Sequence, residues 1–413
     1  GVIALADSPK IIVLEINGVI NPPLQDYIAR GIEKAEIEQA AAVIIKMDTP
    51  GGLDSTMREI IKTMNESDVP VIVFIPSGGR AASAGFFITI ASDVAVMAPD
   101  TAIGAASPIA LGSGGEAEVS DTLESKILND AIAYARAIAE AHGRNADWAE
   151  SAVRNAASVS AAEALSLNVI DLVEPNLSSV ISSLNGFTYI ELNGTETILN
   201  TEAAEIIELD MSFGESFLYT ISNPEIAYIL LSLAMLGIMI EILNPGAIFP
   251  GVTGAICGLL AFYALGVLPV NFAGVFLMVL AFAFFAAEFF TPSFGIFTAG
   301  GLVALIVGSL ILFEGGPLFE VNIALIITIA LIVTTIAAFI INRVIMAHRR
   351  QSATGQEELI GKLASVKTAL NPKGTIFYEG EIWQAEITEG SAQPEDEVII
   401  IRVEGLKLFV TNK

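Results

Sequence analysis

Over its first half the chain alternates short, wholly apolar runs with stretches of helical spacing. Ile11–Ile16 reads as a first strand, which Asn21-Pro22-Pro23 breaks. Leu24, Ile28, Ile32 and Ala35 then share one helical face. Ala42–Lys46 predicts a second strand, Asp48–Gly52 a loop, and the spacing a helix through about Asn65. Val69–Ile75 predicts a buried strand, Asp93–Met97 another, and Val169–Val173 a closing one. Helices are predicted over 120–141 and 146–156, and Ser160-Ala161-Ala162-Glu163 fits a capping box for a third. Strands alternating with helices predict a parallel α/β core. A polar, Gly-rich loop covers 107–119. Residues 187–200, with Asn193-Gly194 between alternating runs, predict a hairpin, and 212–223 an amphipathic lead-in.

Five apolar runs follow, near 226–243, 248–268, 272–290, 296–313 and 323–341. Each is about long enough to cross a ~30 Å hydrocarbon core, two of them marginally. The loops between them hold no Lys or Arg, whereas Arg343, Arg349 and Arg350 cluster just past the fifth run. This asymmetry predicts a cytoplasmic C-terminal side, and five crossings then put the N-terminal domain outside. Val2-Ile3-Ala4-Leu5-Ala6 reads as the tail of a secretory signal, which agrees. Inside the apolar region Glu241-Ile242-Leu243-Asn244-Pro245 is echoed 47 residues later by Glu288-Phe289-Phe290-Thr291-Pro292, with Gly254 and Gly301 at the same offset. Glutamates in apolar runs are functional candidates. Here they lie near run ends and lack a basic or histidine partner in these helices, so reaching headgroups or capping a neighbouring helix is favoured over a transport pathway. Residues 351–356 form a polar linker. About five short strands over 359–413, including Glu381–Ile387 and Val398–Ile401, predict a small barrel of the OB type. Stacking aromatics and a basic groove are scarce there, so a protein-contact role is expected.

The expected domains are therefore a residual signal tail (1–6), an α/β domain (7–185), a hairpin and amphipathic lead-in (186–224), five transmembrane helices (225–342), a basic juxtamembrane linker (343–358) and an all-β barrel (359–413). Composition narrows the function. The chain is 53% hydrophobic and 16% charged, too apolar for an ordinary soluble enzyme. Its net charge of −26 opposes nucleic-acid binding. One cysteine, Cys257, and two histidines, His142 and His348, permit no intrachain disulfide and no Cys/His metal cluster. No metal or cofactor is expected.

The candidate chemistry centres on Gly78-Gly79-Arg80-Ala81-Ala82-Ser83-Ala84-Gly85, between the strand at 69–75 and an apolar helix start. A serine among small residues at a strand-to-helix turn can act as a nucleophile, because substrate backbone can approach and the helix N-terminus favours developing negative charge. Taken alone, the octapeptide reads more readily as a small-residue turn. A nucleophile also needs a base and oxyanion donors. His142 ends its helix beside Gly143, where the dipole favours an exposed imidazolium, a poor base. Lys126, early on its helix among Leu123, Ile127 and Leu128, is the better candidate, since burial can neutralise a lysine. By spacing alone it is as readily a solvated helix lysine. Backbone donors are available at Gly51-Gly52 and at Ala84.

These residues resemble a known family. Asp48-Thr49-Pro50-Gly51-Gly52, Arg80–Gly85 and the Lys126 helix are similar to the ClpP-class fold, related to crotonases, as used in the NfeD family of membrane-bound serine proteases. The likeness continues through Gly143-Arg144-Asn145, Ala162–Leu165, the two Glu-x-x-x-Pro turns, Leu359–Lys362 and Trp383-x-Ala385, and so covers nearly the whole chain. The resemblance implies a Ser83–Lys126 dyad, oxyanion donors at the Gly52 and Ala84 N–H groups, and a substrate neighbourhood at Gly51, Gly79 and Gly85. Arg136 is the other basic residue a loose alignment could choose, but arginine stays protonated. The implied activity is endopeptidase cleavage of apolar segments in a stomatin- or flotillin-like (SPFH-type) membrane protein, by a homo-oligomer in contact with membrane lipid. The alternatives are a non-catalytic scaffold for such a partner and a crotonase-like acyl-CoA enzyme, the latter disfavoured by an exported site.

Overall fold

Val71–Ile75 is buried along its whole length, as a central strand covered on both faces must be. The computed structural model describes residues 8–108, 121–246, 248–291, 295–316, 318–349 and 359–413, with the side chains of 121 and 340–349 excepted. The expected signal tail, most of the 107–119 loop and the 351–356 linker lie outside the described residues.

The first elements are β1 (Lys10–Asn17), α1 (Pro22–Ile37), β2 (Ala42–Asp48), α2 (Asp54–Asn65), β3 (Val71–Ile75), β4 (Arg80–Ala82), α3 (Ala84–Ile90), β5 (Val94–Met97) and β6 (Ala102–Gly104). There follow α4 (Asp121–Ala141), α5 (Ala146–Arg154), β7 (Ser158–Ser160), α6 (Ala161–Ser166), β8 (Leu172–Val173), α7 (Leu177–Leu184), β9 (Thr188–Ile190), β10 (Glu196–Ile198) and β11 (Glu205–Glu208). Six strands form one parallel sheet in the order β11-β1-β2-β3-β5-β8. Ile12, Leu14, Ile45 and Val73 face the larger core, with α1, α2 and α3. Ile11, Val13, Ile44 and Phe74 face the other side, under Val180 and Leu184 of α7.

Local chemistry sets the element ends. Asn21 accepts the Leu24 N–H ahead of α1, with prolines in the first turn. The Ser160–Glu163 capping box forms, and β9 and β10 pair as the predicted hairpin. Three short strands, β4-β6-β7, make a separate sheet that the hydrophobic pattern does not show. Edge strand β11, which pairs with β1, is missed in the same way. The predicted strand at 169–173 shrinks to β8, because Asp171 turns its carboxylate to the Ala95 N–H and to Arg144.

Helix α8 (Phe213–Ile221) is the amphipathic lead-in, opened by a Ser212–Glu215 capping box. It docks on α1 through Arg30, whose Nε and Nη2 donate to the two Glu215 oxygens at 2.8 and 2.7 Å. The guanidinium holds the Glu215 carboxyl well down, at about 2. Tyr27 Oη donates to the Leu209 carbonyl at 2.6 Å and ties down the approach to α8.

Five apolar helices follow: α9 (Pro224–Leu243), α10 (Ile248–Val267), α11 (Phe272–Phe290), α12 (Ile296–Leu310) and α13 (Ile323–Arg349). The first three are long and apolar enough to cross a membrane. Helix α12 is shorter than its apolar run because the chain leaves the helix to pair with the start of α11, where the Asn271 N–H donates to the Leu312 carbonyl at 2.9 Å. The internal repeat is structural. A Cβ on Gly254 would lie 3.0 Å from the Ala234 carbonyl, and one on Gly301 would lie 3.0 Å from the Ala281 carbonyl. Both pairs sit 47 residues apart. Glycine thus lets the two hairpins, α9–α10 and α11–α12, close to the same backbone spacing. Glu288 accepts the Gly295 and Thr298 N–H groups at 2.8 and 3.1 Å, so of the two structural roles open to it, it caps α12. Glu241 stands in the matching place against Gly251 of α10.

A second compact unit covers Phe339–Lys413. Its strands β12 (Leu363–Thr368), β13 (Lys373–Tyr378), β14 (Glu381–Ile387), β15 (Glu397–Glu404) and β16 (Lys407–Asn412) close a barrel in the order β12-β13-β14-β16-β15. Only β14 and β16 run parallel, which is the expected OB arrangement. Val366, Ile376, Val398, Ile400 and Leu408 fill it.

Candidate active site

Ser83 does not follow β3 directly. Strand β4 intervenes, pairs with β6, and delivers Ser83 to the N-terminus of α3. The Ser83 N–H donates to the Gly104 carbonyl at 3.0 Å, which fixes the turn from below. Its backbone sits at φ 51° and ψ −116°, a conformation L-residues avoid. That strain turns the side chain out of the helix start, and Ser83 forms no side-chain cap.

The Asp48–Gly52 loop runs alongside. Thr49 pairs with Ala81 of β4, its N–H donating to the Arg80 carbonyl at 2.9 Å. The Asp48 carboxylate accepts the Arg80 N–H at 3.0 Å. On the loop's other side, the Ile20 N–H donates to the Gly51 carbonyl and the Leu53 N–H to the Ile20 carbonyl, at 2.9 and 3.0 Å. Glycine is obligatory here. A Cβ on Gly51 would lie 2.7 Å from Ser83 Cβ and 3.2 Å from Ser83 Oγ, and one on Gly52 would meet the Ile20 carbonyl at 2.1 Å. Among the described residues, neither the Gly52 N–H nor the Ala84 N–H has a hydrogen-bond acceptor. Two free backbone donors therefore flank one strained serine. Gly79 lies against Asp48 and Gly85 beneath Thr49, so of the three candidate glycines Gly51 is the one that faces the hydroxyl.

Helix α3 is held at both ends. Arg144, buried, donates from Nη1 to the Ile90 and Ser92 carbonyls at 2.8 Å each and from Nη2 to Asp171 at 2.6 Å. It thereby caps the end of α3 remote from Ser83. Sequence reasoning noted Arg144 only as part of a resemblance; its role depends on partners far along the chain. Helix α4 crosses α3, with Tyr134 stacked on Phe87 at 6.0 Å. Arg58 of α2 sits over Tyr134 and pairs with Asp130. Lys126, about two turns nearer the start of α4, is exposed, and no hydrogen bond joins its amine to Ser83. Arg136 is bound to Asp147 and Glu150 of α5, at 2.9 and 2.8 Å, and serves to hold the two helices together.

The expectation for His142 is overturned. The ring is partly buried and its Nε2 has no hydrogen-bond partner among the described residues. Desolvation, reinforced by the Arg144 charge and opposed by Asp171, pushes its pKa down to about 4. Burial here outweighs the helix dipole. The unfolded chain binds this proton near pH 6.5 and the folded chain only near 4, so this contribution is full above 6.5 and is lost as pH falls towards 4. The unfolding free energy of the N-terminal domain is expected to drop by about 1 kcal/mol more from pH 7 to pH 5 in wild type than in His142→Gln, after discounting for the partly exposed ring. Equal slopes in pH-dependent denaturant titrations would refute this.

Three family models match the chain in order. They are the NfeD1b N-terminal domain over residues 10–205, the NfeD integral membrane domain over 225–343, and the NfeD-like C-terminal, partner-binding domain over 356–411. Membrane-bound protease PH1510 of Pyrococcus horikoshii is 37% identical over 98% of this chain and 93% of its own length. The chain belongs to the NfeD family. A second NfeD relative, membrane protein NfeD1b of Bacillus subtilis, is 28% identical over 98% of this chain and 94% of its own. A solved structure of 1510-N, a membrane-bound stomatin-specific protease, holds a substrate peptide in a lysine mutant. It is 33% identical, covers 52% of this chain and 98% of its own, and has a TM-score of 0.48. This NfeD chain is a membrane protein, with three helices of spanning length among the described residues.

Proposed function

We propose that the chain is a membrane-anchored serine endopeptidase of the ClpP class that cleaves apolar segments of a stomatin- or flotillin-like membrane protein. One observation carries this reading above all: Ser83 is held at positive φ beside the Gly52 and Ala84 N–H groups, neither of which has an acceptor among the described residues. The relationship to a membrane-bound protease at 37% identity supports it. In this mechanism Ser83 Oγ attacks the scissile carbonyl carbon as its proton passes to the amine of Lys126. The carbonyl oxygen gains charge and receives the Gly52 and Ala84 N–H groups. The Lys126 proton then leaves with the amine product. A water attacks the acyl-Ser83 ester by the same route in reverse and releases the acid. The Ser83–Lys126 hydrogen bond forms as substrate binds; catalytic contacts often tighten only in the Michaelis complex. The basic residues past the fifth apolar run support a cytoplasmic barrel and an extracytoplasmic protease domain.

The test is labelling of the full chain in vesicles by a fluorophosphonate probe. The expected result is one adduct on the peptide containing Ser83, competed by an apolar peptide. An adduct on another serine, unaffected by Ser83→Ala, would refute the assignment. The match of residues 356–411 to a partner-binding domain favours a second reading, a scaffold that assembles with such a membrane protein. It predicts that Ser83→Ala retains full function in cells.

A further inference from the structure

Helix α8 ends three residues before the first membrane helix, α9. Its Tyr219 reaches back into the N-terminal domain and donates from Oη to the Asn17 carbonyl at 3.0 Å. The same oxygen lies over Gly18, where a Cβ would stand 2.4 Å from it. Gly18 sits at φ +116°, so glycine is required there twice over. Residues 17–20 are also the segment that holds the Gly51–Gly52 loop. The Gly18 N–H donates to the Asp48 carbonyl at 3.0 Å, and the Ile20 N–H to the Gly51 carbonyl at 2.9 Å. An unbroken chain of short contacts thus runs from Tyr219 through residues 17–20 to Gly51–Gly52 and on to Ser83. At the other end of α8, Arg30 grips Glu215 with two hydrogen bonds.

We infer that α8 is a strut between the membrane anchor and the active site, and that Tyr219 is a positioning residue which keeps the Gly52 N–H in register with Ser83. Tyr219 touches no reacting atom. It fixes the loop whose backbone must point at the developing oxyanion, where small displacements cost rate rather than binding. The carbonyl of Asn17 is its anchor, so phenylalanine keeps the ring packing and loses the tie. The kinetic part of the inference rests on the reading of Ser83 as nucleophile; the mechanical part does not.

Two measurements on the full chain in phosphatidylcholine vesicles separate those parts. In Tyr219→Phe, the amides of Gly18, Ile20 and Leu53 are expected to exchange with deuterium roughly fivefold faster, while those of the β2–β3 pair stay protected. With a fluorogenic apolar peptide, kcat is expected to fall about tenfold with KM unchanged within about twofold. Glu215→Gln, which loosens the other end of α8, is expected to shift the same amides. Unchanged protection in both variants would overturn the strut. Faster exchange with an unchanged kcat would overturn the positioning role. If wild type shows no Ser83-dependent hydrolysis, the protease reading fails, and the exchange rates still decide whether α8 braces the loop.

Discussion

Ser83→Ala is expected to lower kcat for peptide hydrolysis by roughly 10⁴-fold or more, because no other group can carry the acyl intermediate. It is expected to leave folding stability within about 0.5 kcal/mol of wild type. The hydroxyl makes no cap to α3, and the Ser83 N–H bond to Gly104 is independent of the side chain. A second variant shows whether the geometry is kept for catalysis. Alanine still carries a Cβ and still suffers the backbone at φ 51° and ψ −116°. Ser83→Gly removes that conflict and is expected to be about 1 kcal/mol more stable than Ser83→Ala, and just as inactive. Denaturant midpoints of the N-terminal domain, read beside kcat, give both numbers. A glycine variant less stable than alanine would mean that Ser83 is unstrained. Substantial turnover in Ser83→Ala would mean that it is not the nucleophile.

Much of this architecture is written in runs long enough to have a period. Val71–Ile75 and Ala42–Ile45 are apolar because both faces of the sheet are covered, and the five apolar helices and the barrel strands announce themselves likewise. Strands β4, β6, β7 and β11 do not, since three or four residues show no period and each exists through a partner distant in sequence. The same division applies within the site. Small neighbours mark Ser83, and the double glycine marks the loop beside it. The positive φ at Ser83 is invisible in the sequence, because it is imposed by β4 below and α3 above. His142 shows the cost of reading a residue from its own helix alone: burial first, then the Arg144 charge, pushes its pKa down against Asp171. Tyr219 carries no local signal at all. Its meaning depends on Asn17 and Gly18, some two hundred residues earlier.

Lys126→Met is expected to reduce both fluorophosphonate labelling of Ser83 and kcat by about 10³-fold, the usual worth of a general base. The side chain is exposed, so its loss leaves stability unchanged. Helix α4 keeps its place through the Arg58–Asp130 pair, one turn on from position 126, and the Tyr134–Phe87 stack, two turns on. Methionine therefore tests the amine and little else. Lys126→Arg sharpens the result. Arginine preserves a positive charge near the site but cannot give up its proton under any condition the protein survives. If Lys126 acts as base, arginine is as inactive as methionine. If it only attracts the developing oxyanion, arginine retains most of the wild-type rate. A rate in Lys126→Arg close to that of wild type would remove the base from the mechanism, and leave Ser83 with its two backbone donors and no proton acceptor.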